Sequence, residues 1–154
     1  MAMTGRPTVL FVCPDNGGLS LLAEAVALKE HPELRVFSAA ALTPGAVDPA
    51  LVACLDAAGI PADGLSAKPA GVFALSGAPR LDVLVTFGDE ARRALRRLPL
   101  LGLLHLETWH PVAVRHDGAA GWRRAAYRRL LPEIGAAIAN LEARIALRLS
   151  GAAA

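Results

Sequence analysis

Residues 9–24 read VLFVCPDNGGLSLLAE. An apolar run, Val9 to Val12, stops at Cys13. A turn-rich stretch follows (Pro14, Asp15, Asn16, Gly17, Gly18), and from Ser20 an Ala/Leu-rich helical pattern takes over. This order predicts a buried strand ending in a cysteine, then a tight loop, then a helix whose N-terminus faces that loop. In parallel α/β architectures such a layout turns backbone N–H groups and the positive end of a helix dipole toward an anion or a nucleophile. Cys13 is therefore a candidate nucleophile and residues 14–20 a candidate anion-binding loop. Taken alone, a free cysteine closing a strand is more often a small buried hydrophobe. Its neighbours decide between the two.

Outward from this stretch the chain alternates strand and helix. Strand one is predicted over 8–13 and helix one over 20–31, capped by Ser20 and ended by Pro32. A second strand covers 34–40. Asp48-Pro49 reads as an N-cap followed by a first-turn proline, opening a helix over 49–58 that Gly59 closes. Residues 60–80 are rich in turn formers. A third strand is predicted over 81–87, a helix over 90–97, and a fourth strand over 103–108 that leads into Trp109-His110-Pro111. The last helix, over 122–149, keeps Leu130, Ile134, Ile138, Leu141 and Ile145 at helical spacing, and Pro132 is expected to kink or divide it. Continuous apolar strands alternating with helices predict an α/β fold. The expectation is a single three-layer domain over 1–154, with its core over 8–149 and a four-stranded parallel sheet covered by helices on both faces.

Composition narrows the function classes. Of the 154 residues 54% are hydrophobic, yet much of that is alanine in helices. The most apolar stretch, Leu98 to Leu106, is broken by Pro99, Gly102 and His105 and falls short of the roughly 20 residues that span a bilayer. The first residues lack the apolar core of a signal peptide, so no membrane association and a cytoplasmic location are expected. Two cysteines, Cys13 and Cys54, make neither a disulfide framework nor a zinc or C-x-x-C motif. His105, His110 and His116 keep no metal-ligand spacing, and no metal or cofactor is implied. The doublets Arg92-Arg93, Arg96-Arg97, Arg123-Arg124 and Arg128-Arg129 read as solvated helix faces. With a net charge of +2 and 5% aromatic residues, they do not read as a nucleic-acid surface.

Cys13-x-x-Asn16-x-x-x-Ser20-x-Leu22-Ala23-Glu24 resembles the signature of the low-molecular-weight protein tyrosine phosphatases and of the thioredoxin-coupled arsenate reductases built on the same fold. Ser38-Ala39-Ala40, Val47-Asp48-Pro49, Ser66-Ala67-Lys68-Pro69 and Leu84 to Ala91 resemble further stretches of that family in order and spacing. The resemblance covers about residues 8–145 and implies the family's doubly wound fold. It also implies a site: a C-x5-R-[ST] loop whose Cys attacks phosphorus and whose Arg and amides hold the phosphoryl oxygens. In it the Asn shapes the loop, the Ser bonds the thiolate, and an Asp-Pro loop supplies the acid.

Carried over position by position, Cys13, Asn16 and Ser20 match. The arginine position is Leu19, which offers no guanidinium to clamp a phosphoryl group. Pro14 removes an N–H from the nest, and Asp15 brings a carboxylate to its mouth. Gly17 and Gly18 leave the loop free to curl. His110, before Pro111, is the nearest counterpart of the acid, and Arg115 is the best-placed substitute for the missing guanidinium. A position that carries a relay cysteine in the reductases is Gly88. The expectation is a phosphatase-like protein with a degenerate loop, weak or inactive as an enzyme, acting as a binding or regulatory module. Its ligand would be a small anion or phosphorylated group at 13–20, or a protein partner. An active cysteine-dependent phosphatase or a thiol redox protein is the alternative.

Overall fold

The computed structural model describes residues 5–100, 102–112, 114–115 and 117–153, with side chains as far as Arg148; His116 lies outside the described residues. The elements run β1 (Thr8–Cys13), α1 (Leu19–Glu30), β2 (Arg35–Ala40), α2 (Pro49–Ala57), a 3-10 turn (Ala70–Ala74), β3 (Val83–Phe87), α3 (Asp89–Leu95), β4 (His105–Trp109) and α4 (Ala120–Ala153). The strands form one sheet in the order β2-β1-β3-β4, parallel throughout. Their C-terminal ends therefore lie along one edge, with Cys13 beside Ala40 and Phe87 beside Trp109. The chain leaves β1 for one side of the sheet and later returns to build the other. The crevice above the end of β1 is thus the topological switch point, where open parallel sheets bind ligands.

Every residue of β1 is buried, as a strand covered on both faces must be. Its side chains alternate between two cores. Val9, Phe11 and Cys13 face the larger one, shared with α1, α2 and α4. Leu10 and Val12 face the smaller one, with Phe73 of the 3-10 turn and Leu95 of α3. None of the described helices is long and apolar enough to cross a membrane.

Three local expectations are corrected. Helix α1 starts at Leu19, one residue early, and its N-cap is Gly18 with no side-chain bond. Ser20 does not cap because its hydroxyl is held by Asn16 instead. Of the two outcomes expected at Pro132, a kink or a division, division does not occur: α4 is one helix from Ala120 to Ala153. The strands predicted over 81–87 and 103–108 begin two residues later, at Val83 and His105; just ahead of them the Asp82 carboxylate accepts from Thr8 N–H (2.8 Å) and its carbonyl accepts from Leu104 N (2.8 Å). The Asp48 cap is as expected, accepting from Ala50 N at 2.9 Å.

The outer strand β4 is fastened by one carboxylate. Glu107 accepts from both Arg144 nitrogens at 2.7 Å, from Trp109 Nε1 at 2.8 Å, and pairs with His105 Nε2 at 2.5 Å. Trp109 in turn packs on Phe11 and Phe87, with ring centroids 6.0 and 5.7 Å away. Burial alone would push the Glu107 carboxyl up, but the bonds from Arg144, His105 and Trp109 outweigh it and hold it at about 2. A depressed carboxylate stabilises the fold above its unfolded value and loses that contribution as pH falls through the folded one. Glu107→Gln is therefore expected to cost on the order of 2 kcal/mol at neutral pH, after discounting for screening at the exposed Arg144. Urea midpoints at pH 7, 5 and 3 should fall less steeply with acid in the variant. A slope equal to wild type would remove Glu107 as the cause.

Candidate functional site

The loop after β1 is laced to the segment that follows β2. Ala41 N donates to Cys13 O (2.9 Å), Leu42 N to Pro14 O (2.9 Å), Gly45 N to Asp15 O (2.8 Å) and Asp48 N to Gly17 O (2.9 Å). Four of the loop's carbonyls thus point outward to residues 41–48. A loop that turns its carbonyls out presents amides on its concave side, the backbone condition for an anion nest.

Asn16 is the pivot. It is fully buried with φ of +53°, a left-handed conformation that asparagine tolerates better than most residues. Its amide nitrogen donates to Ser20 Oγ (2.7 Å) and Ser38 Oγ (3.0 Å), and its oxygen accepts from Lys68 N (3.0 Å). Ser38 passes the chain on to Glu24, whose carboxyl burial pushes up against the opposing pull of Ser38 and Lys68. Ser20 Oγ lies 3.0 Å from Cys13 Sγ. Because Asn16 already donates to that oxygen, the hydroxyl hydrogen is left to point at sulfur. Cys13 is 2% exposed, at the bottom of the loop.

Asp15 faces inward. Its Oδ1 accepts from Gly17 N at 3.0 Å and lies 3.8 Å from Cys13 Sγ, so a carboxylate of the chain itself occupies an amide of the nest beside the sulfur. Leu19 is partly buried and packs against the larger core. No cation is carried at that position.

Below the loop lies a buttress that the sequence did not single out. Tyr127, 1% exposed, donates to Asp48 Oδ2 (2.9 Å), and Arg123 grips the same carboxylate through Nε (3.0 Å) and Nη2 (3.1 Å). Burial first and the Asp48 bond second push the Tyr127 phenol up, so it stays a donor. A Cβ on Gly18 would collide with the Tyr127 oxygen, which fixes glycine there. Asp48 is legible as a helix cap, but its partners on α4 lie 75 and 79 positions away and leave no local signal.

The other predicted site residues are bonded elsewhere. His110, 61% exposed in its side chain, pairs with Asp89 at 3.2 Å. Arg115 makes a two-pronged ion pair with Asp117, through Nε (3.1 Å) and Nη2 (2.9 Å). Cys54 is buried in α2, within the larger core. Among the described residues the one group with metal-ligand geometry is His31, Glu33 and Glu142. It joins the chain just after α1 to α4, at the opposite end of α1 from the loop, and is knit as ion pairs of 2.7 and 3.3 Å.

The profile of the family described as low molecular weight phosphotyrosine protein phosphatase matches residues 8–117, the span that holds this loop, its lacing and all four strands. The chain belongs to that family. Its fold is similar to that of Wzb from Vibrio vulnificus in complex with benzylphosphonate, at a TM-score of 0.71 and 15% identity over 88% of this chain and 99% of that one. It is similar to the low molecular weight protein tyrosine phosphatase of T. tengcongensis, at a TM-score of 0.70 and 20% identity over 90% and 99%. An arsenate reductase in the phosphate binding state superposes at a TM-score of 0.67 with 21% identity over 90% and 98%. No curated protein sequence matches the chain.

Asn16→Ala removes three buried hydrogen bonds and places a Cβ-only residue in the left-handed region. The expected cost is about 3 kcal/mol. Ser20→Ala leaves the lacing intact and is expected to cost about 1 kcal/mol. Urea denaturation of the two variants measures both, and equal losses would remove Asn16 as the pivot.

Proposed function

We propose that this member of the phosphatase family keeps the shape of the loop without its phosphoryl clamp, and works as a non-hydrolytic binding or regulatory module. The observation that carries this reading is the charge inside the loop. The arginine position is Leu19, partly buried against the core, while the Asp15 carboxylate takes the Gly17 amide and lies 3.8 Å from Cys13 Sγ. A phosphoryl dianion entering there meets the Asp15 carboxylate, and at position 19 a leucine where the family carries a guanidinium. Preorganised donors at such a site are worth about a hundredfold or more in rate, and here the position of the strongest of them carries an apolar side chain. Residual binding of a small anion draws on the backbone amides of the loop. That the similar structures include phosphate and benzylphosphonate complexes supports an anion as the ligand this loop shape suits. Two free thiols fit a reducing, cytoplasmic setting.

One observation favours the second reading, a cysteine-dependent hydrolase. The Ser20 hydroxyl at 3.0 Å is placed to stabilise a Cys13 thiolate. That enzyme would need an acid and a cation at the loop, and the residues expected to supply them, His110 and Arg115, are bonded to Asp89 and Asp117.

Hydrolysis of p-nitrophenyl phosphate separates the two. Wild type and Cys13→Ser are expected to be equally inert, while Asp15→Gly with Leu19→Arg should raise turnover about a hundredfold. Wild-type turnover that Cys13→Ser abolishes would overturn the reading.

A further inference from the structure

The arginine doublets of α4 are not equivalent. Arg123 is taken up by Asp48 and Gly118, beneath the loop. Its neighbour Arg124, with Arg128 and Arg129, lines a groove of about 920 Å³ between the end of α2 and the first half of α4. Ala57, Ala58 and Ala125 make up much of its floor, and no carboxylate and no aromatic ring lines it. The chain as a whole nearly balances its charge, with 16 Lys and Arg against 14 Asp and Glu. Three guanidiniums around one groove without a carboxylate are a local departure from that balance.

Arg92, Arg115, Arg123 and Arg144 are spent on carboxylates, while Arg93, Arg96 and Arg97 make no ion pair among the described residues, so what sets the groove arginines apart is that three of them share one groove. Among the described residues, Arg124, Arg128 and Arg129 have neither a hydrogen bond nor an ion pair. Arg124 and Arg128 stand at i and i+4, so their like charges repel on one helix face. The Cys54 thiol lies in the lining under them. Burial pushes it up, and the fields of Arg128 and Arg124 oppose that push, so both guanidiniums bear on the same point.

We propose that this groove is a docking site for an acidic segment of a partner protein. Charge complementarity selects the occupant. Two guanidiniums four residues apart on a helix are separated by a rise of about 6 Å. Alternate side chains of an extended strand repeat at nearly the same interval, about 6.6 Å. A segment with Glu or Asp at every second position sets one carboxylate against each arginine, where guanidinium and carboxylate pair through two hydrogen bonds. The alanine floor lets its backbone come close. Single-stranded nucleic acid is the poorer fit, because such strands are held by stacking on aromatic rings and this groove has none. The site is separate from the 13–20 loop and does not depend on whether that loop is catalytic.

Fluorescence anisotropy with a labelled peptide, Glu-Ala-Glu-Ala-Glu-Ala-Glu, tests this on the full chain, with the lysine counterpart and an oligo-dT 12-mer as competitors. The acidic peptide should bind, more weakly as salt is raised. Arg124→Glu with Arg128→Glu should weaken it at least tenfold, and the milder Arg124→Ala with Arg128→Ala should weaken it measurably. Arg96→Glu with Arg97→Glu, away from the groove, should change it less than twofold. Both α4 variants carry exposed substitutions, and unchanged circular dichroism certifies their fold. The proposal is overturned by failure of the acidic peptide to bind, by equal loss in the Arg96/Arg97 variant, or by tighter binding of oligo-dT. It is also overturned if sedimentation shows the groove closed by a second copy of the chain. Aryl phosphate hydrolysis is not a readout here, so this outcome and that for the loop are independent.

Discussion

One buried side-chain amide holds the site together. Asn16 stands at the turn of the loop and bonds to Ser20 at the start of α1, to Ser38 in β2, and to the Lys68 amide ahead of the 3-10 turn. Ser20 and Ser38 are inaccessible to water and the Lys68 amide is partly buried, so leaving them unpaired would be costly. A residue in the left-handed region is itself strained, and the strain persists because three surrounding elements over-determine the position. The outward carbonyls, the inward amides and the depth of Cys13 follow from this one conformation.

The chemistry of the loop is a separate matter from its shape. The lacing to 41–48 uses backbone groups, which any sequence at 13–20 supplies apart from the glycines that relieve crowding at 17 and 18. The side chains at 15 and 19, Asp and Leu, lie outside that backbone lacing. The form of the loop can therefore survive substitutions at these two positions. The Asp15 carboxylate on Gly17 N and the Leu19 side chain against the core are stable answers to the same backbone, since each is satisfied within the protein. An arginine at 19 would need an anion, or Asp15, to face.

The order of elements was legible because the strands are short apolar runs and their boundaries carry proline, glycine and Asp48. So was the coincidence of Cys13, Asn16 and Ser20, which are spaced within one loop. What the sequence concealed was long-range. Ser20 has the residue type and position of a helix cap, and the bond from Asn16 shows that its hydroxyl serves the cysteine, as the family resemblance implies, and not the helix end. Arg123 is indistinguishable in sequence from Arg124 beside it, yet one is drawn to a buried carboxylate 75 residues earlier and the other lines an open groove. Helical geometry explains the split, since adjacent residues on a helix diverge by about 100°. The partners on either side cannot be seen until α2 and α4 are packed.

Pro132 shows the same limit from the opposite direction. Its ring removes one backbone hydrogen bond, a local penalty that predicts a break. In the structure α4 continues through it, with Leu130, Ile134, Ile138 and Leu141 all buried in the larger core. Burying a large aliphatic side chain contributes about 1.5–3 kcal/mol, and four of them on one face outweigh the roughly 3 kcal/mol that an interior proline costs. The continuity of α4 matters to the site as well as to the core. Tyr127 and Arg123 reach the Asp48 carboxylate from the first two turns of this helix, while Ile138 and Ile145 anchor it further along. The buttress beneath the loop is thus held by packing on the far side of a proline that, by local propensity alone, would have separated the two.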